Sequence, residues 1–132
     1  MVDGRIVGQI GPGLLALLGV DRDDTEQCAD RLLAKMLNYR IFPDVEGKMN
    51  VSVKANRGGV LFVSQFTLAA DTHKGLRPSF SAAAPPVAAE HIYRYCLDWL
   101  KREQGTVASG VFGADMKVSL VNDGPVTFLL EG

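Results

Sequence analysis

Hydrophobic and polar positions fall into blocks of two kinds along this chain. Residues 4–10 read as a short strand, and a continuous apolar run of strand length, residues 14–20, reads as a buried one. Between them lies Gly11-Pro12-Gly13, a turn composition that joins the two as a hairpin. From Thr25 to Tyr39 the period changes. Cys28, Leu32 and Met36, with Ala29, Leu33 and Leu37, form one apolar stripe at four-residue spacing, which predicts an amphipathic helix. After a turn at residues 44–47 and the pair Gly58-Gly59, a second buried strand is expected at residues 60–63. Its C-terminal end is Ser64-Gln65-Phe66-Thr67-Leu68. Residues 69–84 read as a loop. Pro85-Pro86 then opens a second helix, since proline suits a first turn. Ala88, Ala89, Ile92, Cys96, Trp99 and Leu100 give that helix a core face, and it should stop near Gly105. Residues 107–130 alternate: Met116, Val118 and Leu120 point one way, Lys117, Ser119 and Val121 the other, as in a β-rich stretch.

The order β-β-α-β-α-β-β lacks the regular alternation of a doubly wound fold. It predicts one α+β domain over residues 1–132, with two helices packed on a mostly antiparallel or mixed, barrel-like sheet. The chain has 132 residues, 47% apolar and 22% charged, which suffices for one core and excludes a disordered chain. Residues 14–20 are far too few to span a bilayer, so no membrane is expected. The first five residues lack a signal-peptide pattern, so the expected compartment is the cytoplasm. A net charge of −1 argues against wrapping a long nucleic acid but permits a grip on the end of one. Cys28 and Cys96 read as reduced core thiols. With only His73 and His91 for company they make no metal site, and no Gly-rich phosphate loop is present, so neither metal nor cofactor is expected.

Two segments carry candidate chemistry. At Ser64-Gln65-Phe66-Thr67-Leu68, polar groups interrupt an apolar strand where a loop begins, and two hydroxyls and an amide could grip or attack a carbonyl. The same groups could equally satisfy backbone at a strand end. At Asn122-Asp123-Gly124-Pro125-Val126-Thr127, an ordinary tight turn and a dedicated cis Gly124-Pro125 bond both fit the residues. A Ser-His-Asp arrangement would need Ser64 or Thr67 as nucleophile, His73 as base and Asp71 or Asp115 as orienter. The two-residue spacing of Asp71 and His73 makes direct mutual orientation awkward. There is no Gly-x-Ser-x-Gly elbow, and His73 reads as a solvated loop residue.

Taken together, the two segments, in this order and some 55 residues apart, resemble the pair that marks D-aminoacyl-tRNA deacylases. So do Tyr39-Arg40-Ile41-Phe42, Gly47-Lys48-Met49-Asn50, Gly75-Leu76-Arg77-Pro78-Ser79-Phe80 and Phe112-Gly113-Ala114-Asp115-Met116, and the similarity covers nearly the whole chain. The resemblance implies a homodimer with its sites at the subunit interface, acting on the 3′ end of aminoacyl-tRNA. It implies hydrolysis of the ester to a D-amino acid, or to glycine mischarged on tRNA-Ala, with L-aminoacyl groups rejected. In the family the matching Gly124-Pro125 bond is cis, and its carbonyls exclude an L side chain from the partner's pocket. Ser64, Gln65, Phe66 and Thr67 would hold the acyl group, with backbone N–H groups placed as an oxyanion hole. Phe112 and Met116 match residues flanking the adenosine and amino acid, and Arg77, Lys74 and Lys48 could meet phosphates. The resemblance ranks a route assisted by the RNA's own 2′-hydroxyl above a Thr67 acyl-enzyme.

Family members usually begin about a dozen residues earlier, with an apolar strand carrying an arginine near the Gly-Pro motif. The expectation is that this strand is lacking here, which would leave a sheet edge exposed. Two other classes stay open on the sequence: a non-catalytic homologue that binds the RNA end, weakened by that loss, and a general Ser/Thr esterase.

Overall fold

The computed structural model describes residues 1–132. In chain order its elements are β1 (Gly13–Leu18), α1 (Glu26–Asn38), β2 (Phe42–Pro43), β3 (Met49–Val51), α2 (Val53–Asn56), β4 (Gly59–Ser64), a 3-10 turn (Phe66–Ala69), α3 (Pro86–Glu103) and β5 (Val107–Ser109). Two sheets result. β1, β4 and β5 lie side by side in that order, both pairs parallel, while β2 and β3 form a separate antiparallel pair.

The fold is thus α+β, as the element order predicts. The mostly antiparallel sheet is corrected: the main sheet is parallel, and sheet direction is mixed only across the whole molecule. The hairpin at Gly11-Pro12-Gly13 is corrected too. Gly13 already belongs to β1 and faces Gly59 of β4 so closely that a Cβ would strike the Gly59 backbone. Residues 6–10 form no strand; the one bridge in the first ten residues joins Val2 and Arg5. The buried strand expected at residues 14–20 is corrected as well: β1 ends at Leu18 and is half-buried, with Leu17 exposed, because it lies at the edge of the sheet. A continuous apolar run carries no sign of strand direction.

α1 forms where the stripe predicts it. Thr25 caps it by accepting from the Cys28 amide at 3.2 Å, and Ala29, Leu33 and Leu37 are its buried edge. α3 starts with proline at its first turn and buries Ala89, Ile92, Tyr93, Cys96 and Leu100. Tyr93 was not expected there, Ala88 is exposed and Trp99 is only half-buried. Both helices pack with β4 through its buried Val60 and Phe62 to make one core. Burial of a Leu or Phe side chain contributes about 1.5–3 kcal/mol. Gln104, just past α3, is buried and donates to the Val53 and Gly58 carbonyls at 3.1 and 2.7 Å, fastening α2 and the start of β4 to the end of α3. No helix is long and apolar enough to cross a membrane.

The largest departure lies at the C-terminal end. Only Val107–Ser109 of the expected β-rich stretch is a strand. Past Ala114 one backbone pair remains, Lys117 with Met1, and residues 118–132 run without a ladder. Phe128 meets Tyr39 edge-on, ring centroids 5.6 Å apart, and Gly132 lies against Leu32. Alternation specifies an extended backbone but does not supply a neighbouring strand.

Candidate functional site

β4 is the central strand, and its last residue, Ser64, marks where the polar segment begins. The Gln65 amide still donates to the Leu18 carbonyl at 2.7 Å, so the segment is anchored to the end of β1. The chain then tightens: the Leu68 amide donates to the Gln65 carbonyl at 3.2 Å and the Ala70 amide to the Thr67 carbonyl at 3.1 Å. The Phe66 and Thr67 amides precede the first closing bond of this turn, the position where helical amides have no partner within the turn. Ser64 and Gln65 are half-buried, while Phe66 and Thr67 are exposed. A buried strand therefore delivers two amides and two side chains to the surface.

The Gln65 side-chain amide donates to the Thr67 hydroxyl oxygen at 2.5 Å. That contact bears on reactivity. A nucleophilic hydroxyl needs a base to take its proton, and an amide in either orientation is too weak a base for that. No histidine or carboxylate bonds Ser64 or Thr67. His73 does bond Asp71, at 2.8 Å from Nδ1, contrary to the expectation that two-residue spacing makes this awkward. Asp71 first accepts the His73 backbone amide at 2.9 Å, an Asx turn that swings the ring into reach. These bonds hold the Asp71 carboxyl below the usual carboxylate range. The pair remains exposed and turned on itself, so the structure assembles no Ser-His-Asp relay.

Phe112 and Met116 reach the same end of the sheet through β5. Phe112 packs on Tyr93, centroids 5.8 Å apart, and Tyr93 stacks on Phe62 at 5.4 Å while its hydroxyl donates to the Phe62 carbonyl at 2.8 Å. Burial raises the Tyr93 hydroxyl, keeping it neutral. The Met116 sulfur sits on Gly110, where a Cβ would leave it no room. An open groove of about 230 Å³ runs along Tyr93, Leu97, Ser109 and Phe112. Tyr93 carries no local sequence signal beyond its helix position, one residue after Ile92. Phe80 also joins the site, its ring 5.2 Å from that of Phe66.

Gly124 and Pro125 lie in the exposed C-terminal stretch, and the bond between them is cis. Asn122 braces the turn: its Oδ1 accepts from the Val126 amide at 3.1 Å and its Nδ2 donates to the Thr127 hydroxyl at 2.9 Å. The nearest atoms a Cβ at Gly124 would meet belong to Val126, two residues on. Within one chain the structure therefore places Ser64, Gln65, Phe66 and Thr67 at the end of β4 and Phe112 and Met116 beyond the end of its parallel neighbour β5, and leaves Gly124 and Pro125 exposed.

The two cysteines differ. Cys96 is buried, which pushes its thiol up to about 12, as a core thiol should be. Cys28 is corrected from core thiol to half-buried: hydrogen bonding from Thr25, with Arg31 nearby, lowers it.

Residues 1–131 match the family model described as D-Tyr-tRNA(Tyr) deacylase. The chain is 62% identical over 130 residues to a D-aminoacyl-tRNA deacylase of Pseudomonas fluorescens (strain Pf0-1), covering 98% of this chain and 90% of that one. It is 58% identical over 131 residues to one of Yersinia enterocolitica, covering 99% and 90%. Among solved structures, one titled c-Myc DNA Unwinding Element Binding Protein superposes with a TM-score of 0.95 at 38% identity, over 100% of this chain and 90% of that one. A probable eukaryotic D-amino acid tRNA deacylase shares the fold, with a TM-score of 0.65 at 18% identity over 79% of this chain and 76% of that one. A family model matched over nearly every residue, and relatives near 60% identity along nearly the whole chain, leave one conclusion: this chain belongs to the D-Tyr-tRNA(Tyr) deacylase family.

Proposed function

We propose that this protein hydrolyses the ester of D-aminoacyl-tRNA, releasing the D-amino acid and free tRNA. The observation that carries the reading is the match of residues 1–131 to the family. The site's chemistry agrees with it. The Phe66 and Thr67 amides act as donors to the carbonyl oxygen as charge develops on it, a role worth about 3–4 kcal/mol per donor where it has been tested by removal. Thr67 positions rather than attacks, because its oxygen is held by an amide that cannot take its proton. The attacking water is then oriented by the adenosine 2′-hydroxyl of the substrate itself. Phe112 and Met116 flank the aminoacyl-adenosine at the sheet end.

Chiral selection is assigned to Gly124 and Pro125. Their turn is braced by Asn122 and exposed, which suits delivery into the site of a second copy in a homodimer with sites at the interface. Glycine has no side chain to exclude, so glycyl-tRNA mischarged on tRNA-Ala falls within the same specificity. The test is hydrolysis of D-Tyr-tRNA beside L-Tyr-tRNA. The reading requires release of D-Tyr with L-Tyr-tRNA spared; equal rates on both would overturn the chiral assignment.

One observation favours a second reading. The solved structure at TM-score 0.95 bears the name of a DNA-binding protein, which suits a module that grips a nucleic-acid end without cutting it. D-Tyr-tRNA left intact by stoichiometric enzyme would select that reading.

A further inference from the structure

Beside the strand end stands a loop whose positive charge nothing in the chain neutralises. Residues 71–79 leave and return at one point, where the Asp71 and Ser79 backbones exchange bonds of 2.7 and 2.9 Å. Just beyond, the chain is tied down along the segment that follows β1. The Arg22 amide donates to the Ala82 carbonyl at 2.8 Å, the Ala84 amide to the Val20 carbonyl at 3.0 Å, and the Arg22 guanidinium to the Ser81 carbonyl. Phe80, between loop and tether, rests on Phe66 of the site. The loop is therefore a fixed feature of the site's rim.

Its charges are arranged unevenly. Residues 71–79 hold two fixed cations, Lys74 and Arg77, against one carboxylate, Asp71. Asp71 is engaged by the backbone amide and the ring Nδ1 of His73, and neither Lys74 nor Arg77 joins any ion pair of the chain. Every residue of the loop is exposed. Next to it Phe66 keeps 65% of its surface in solvent and Phe80 38%. Most cations of this chain stand outside ion pairs; what sets Lys74 and Arg77 apart is their place on a tethered loop beside two partly open aromatic rings. Single-stranded nucleic acid is held by this combination, cations along the phosphates and rings under the unpaired bases.

We propose that loop 71–79 and the Phe66–Phe80 pair bind the unpaired nucleotides that precede the esterified one. Lys74 and Arg77 meet their phosphates, and a base stacks on the open ring faces. This rests on the deacylase reading and extends it from the acyl group to the RNA behind it. A carboxylate-rich protein surface would be drawn to the cations but has no use for the rings, and it serves as a competitor in the test.

The experiment compares two substrates: D-Tyr-tRNA, and D-tyrosine esterified to the 3′-hydroxyl of adenosine, which lacks the preceding nucleotides. The variant is Lys74→Gln/Arg77→Gln; Lys101→Gln/Arg102→Gln at the solvated end of α3 controls for charge alone. For the loop variant, KM for D-Tyr-tRNA rises about tenfold with kcat within about twofold, and the dependence of log KM on log salt flattens by about 1.4, roughly 0.7 per lost single-strand phosphate contact. The adenosine ester is cleaved as by wild type, and the control variant shifts neither quantity. Equal loss on both substrates, or an unchanged KM for D-Tyr-tRNA, overturns the proposal. A second arm measures binding of an RNA hairpin with an unpaired four-nucleotide 3′ tail against the same hairpin made blunt, with poly-glutamate as competitor. Wild type should prefer the tailed RNA and the loop variant should lose that preference; no preference in wild type, or displacement by poly-glutamate as efficient as by RNA, overturns it. If wild type cleaves neither substrate, the deacylase reading fails, and the binding arm still decides the loop's role.

Discussion

The sheet that holds the strand end and the C-terminal stretch that holds Gly124 and Pro125 follow opposite rules. In the first, β4 lies between two parallel neighbours and under two helices, and Val60 and Phe62 are essentially inaccessible to solvent. In the second, residues 118–132 make no ladder, and Leu120, Val121 and Leu129 remain exposed. One region is satisfied by its own chain; the other presents apolar side chains and extended backbone outward. The proposed sharing of the site between two copies would set the outward-facing stretch of one against the strand end of the other.

Substitutions should separate the regions sharply. Phe62→Ala removes a fully buried ring stacked on Tyr93 and should cost about 3–5 kcal/mol in urea unfolding. A smaller loss is expected for Gln104→Leu, which leaves the Gly58 carbonyl without its donor while Val53 keeps its backbone partner; about 1–3 kcal/mol fits the cost of one unpaired acceptor. Val121→Ser should be nearly silent on chain stability, within about 0.5 kcal/mol, because Val121 is 90% exposed. If Val121→Ser instead shifts the melting temperature in a concentration-dependent way, the tail is already engaged between copies.

The same contrast governs what the sequence could disclose. The α1 stripe, from its cap at Thr25 to Tyr39, was readable because a helix's period is set by the chain itself. The apolar runs around Leu14 and Val60 are equally plain as strands, but only the second is buried, β1 being half-buried with Leu17 exposed. Their mutual direction is not legible, since an apolar run looks the same in either orientation. α2 spans four residues, too short for any period, and is announced only by Ser52 capping the Ala55 amide at 3.0 Å. The alternation at Met116, Val118 and Leu120 suggests a strand that does not form, because it marks extended backbone without naming a partner. At the site, Ser64-Gln65-Phe66-Thr67 was legible as polarity intruding on a core strand. The Gln65–Thr67 bond and the reach of Phe80 depend on side-chain placement across a turn and a loop, which linear spacing does not encode.

The account holds that this strand end works through its backbone amides and the substrate's own hydroxyl, with Thr67 in a supporting role. Single-turnover hydrolysis of D-Tyr-tRNA by Thr67→Ala tests that directly. A rate within about tenfold of wild type is predicted, since only a positioning contact is removed. A loss of about 10⁴-fold or more, the scale of deleting a nucleophile, would contradict it and restore Thr67 as the attacking group.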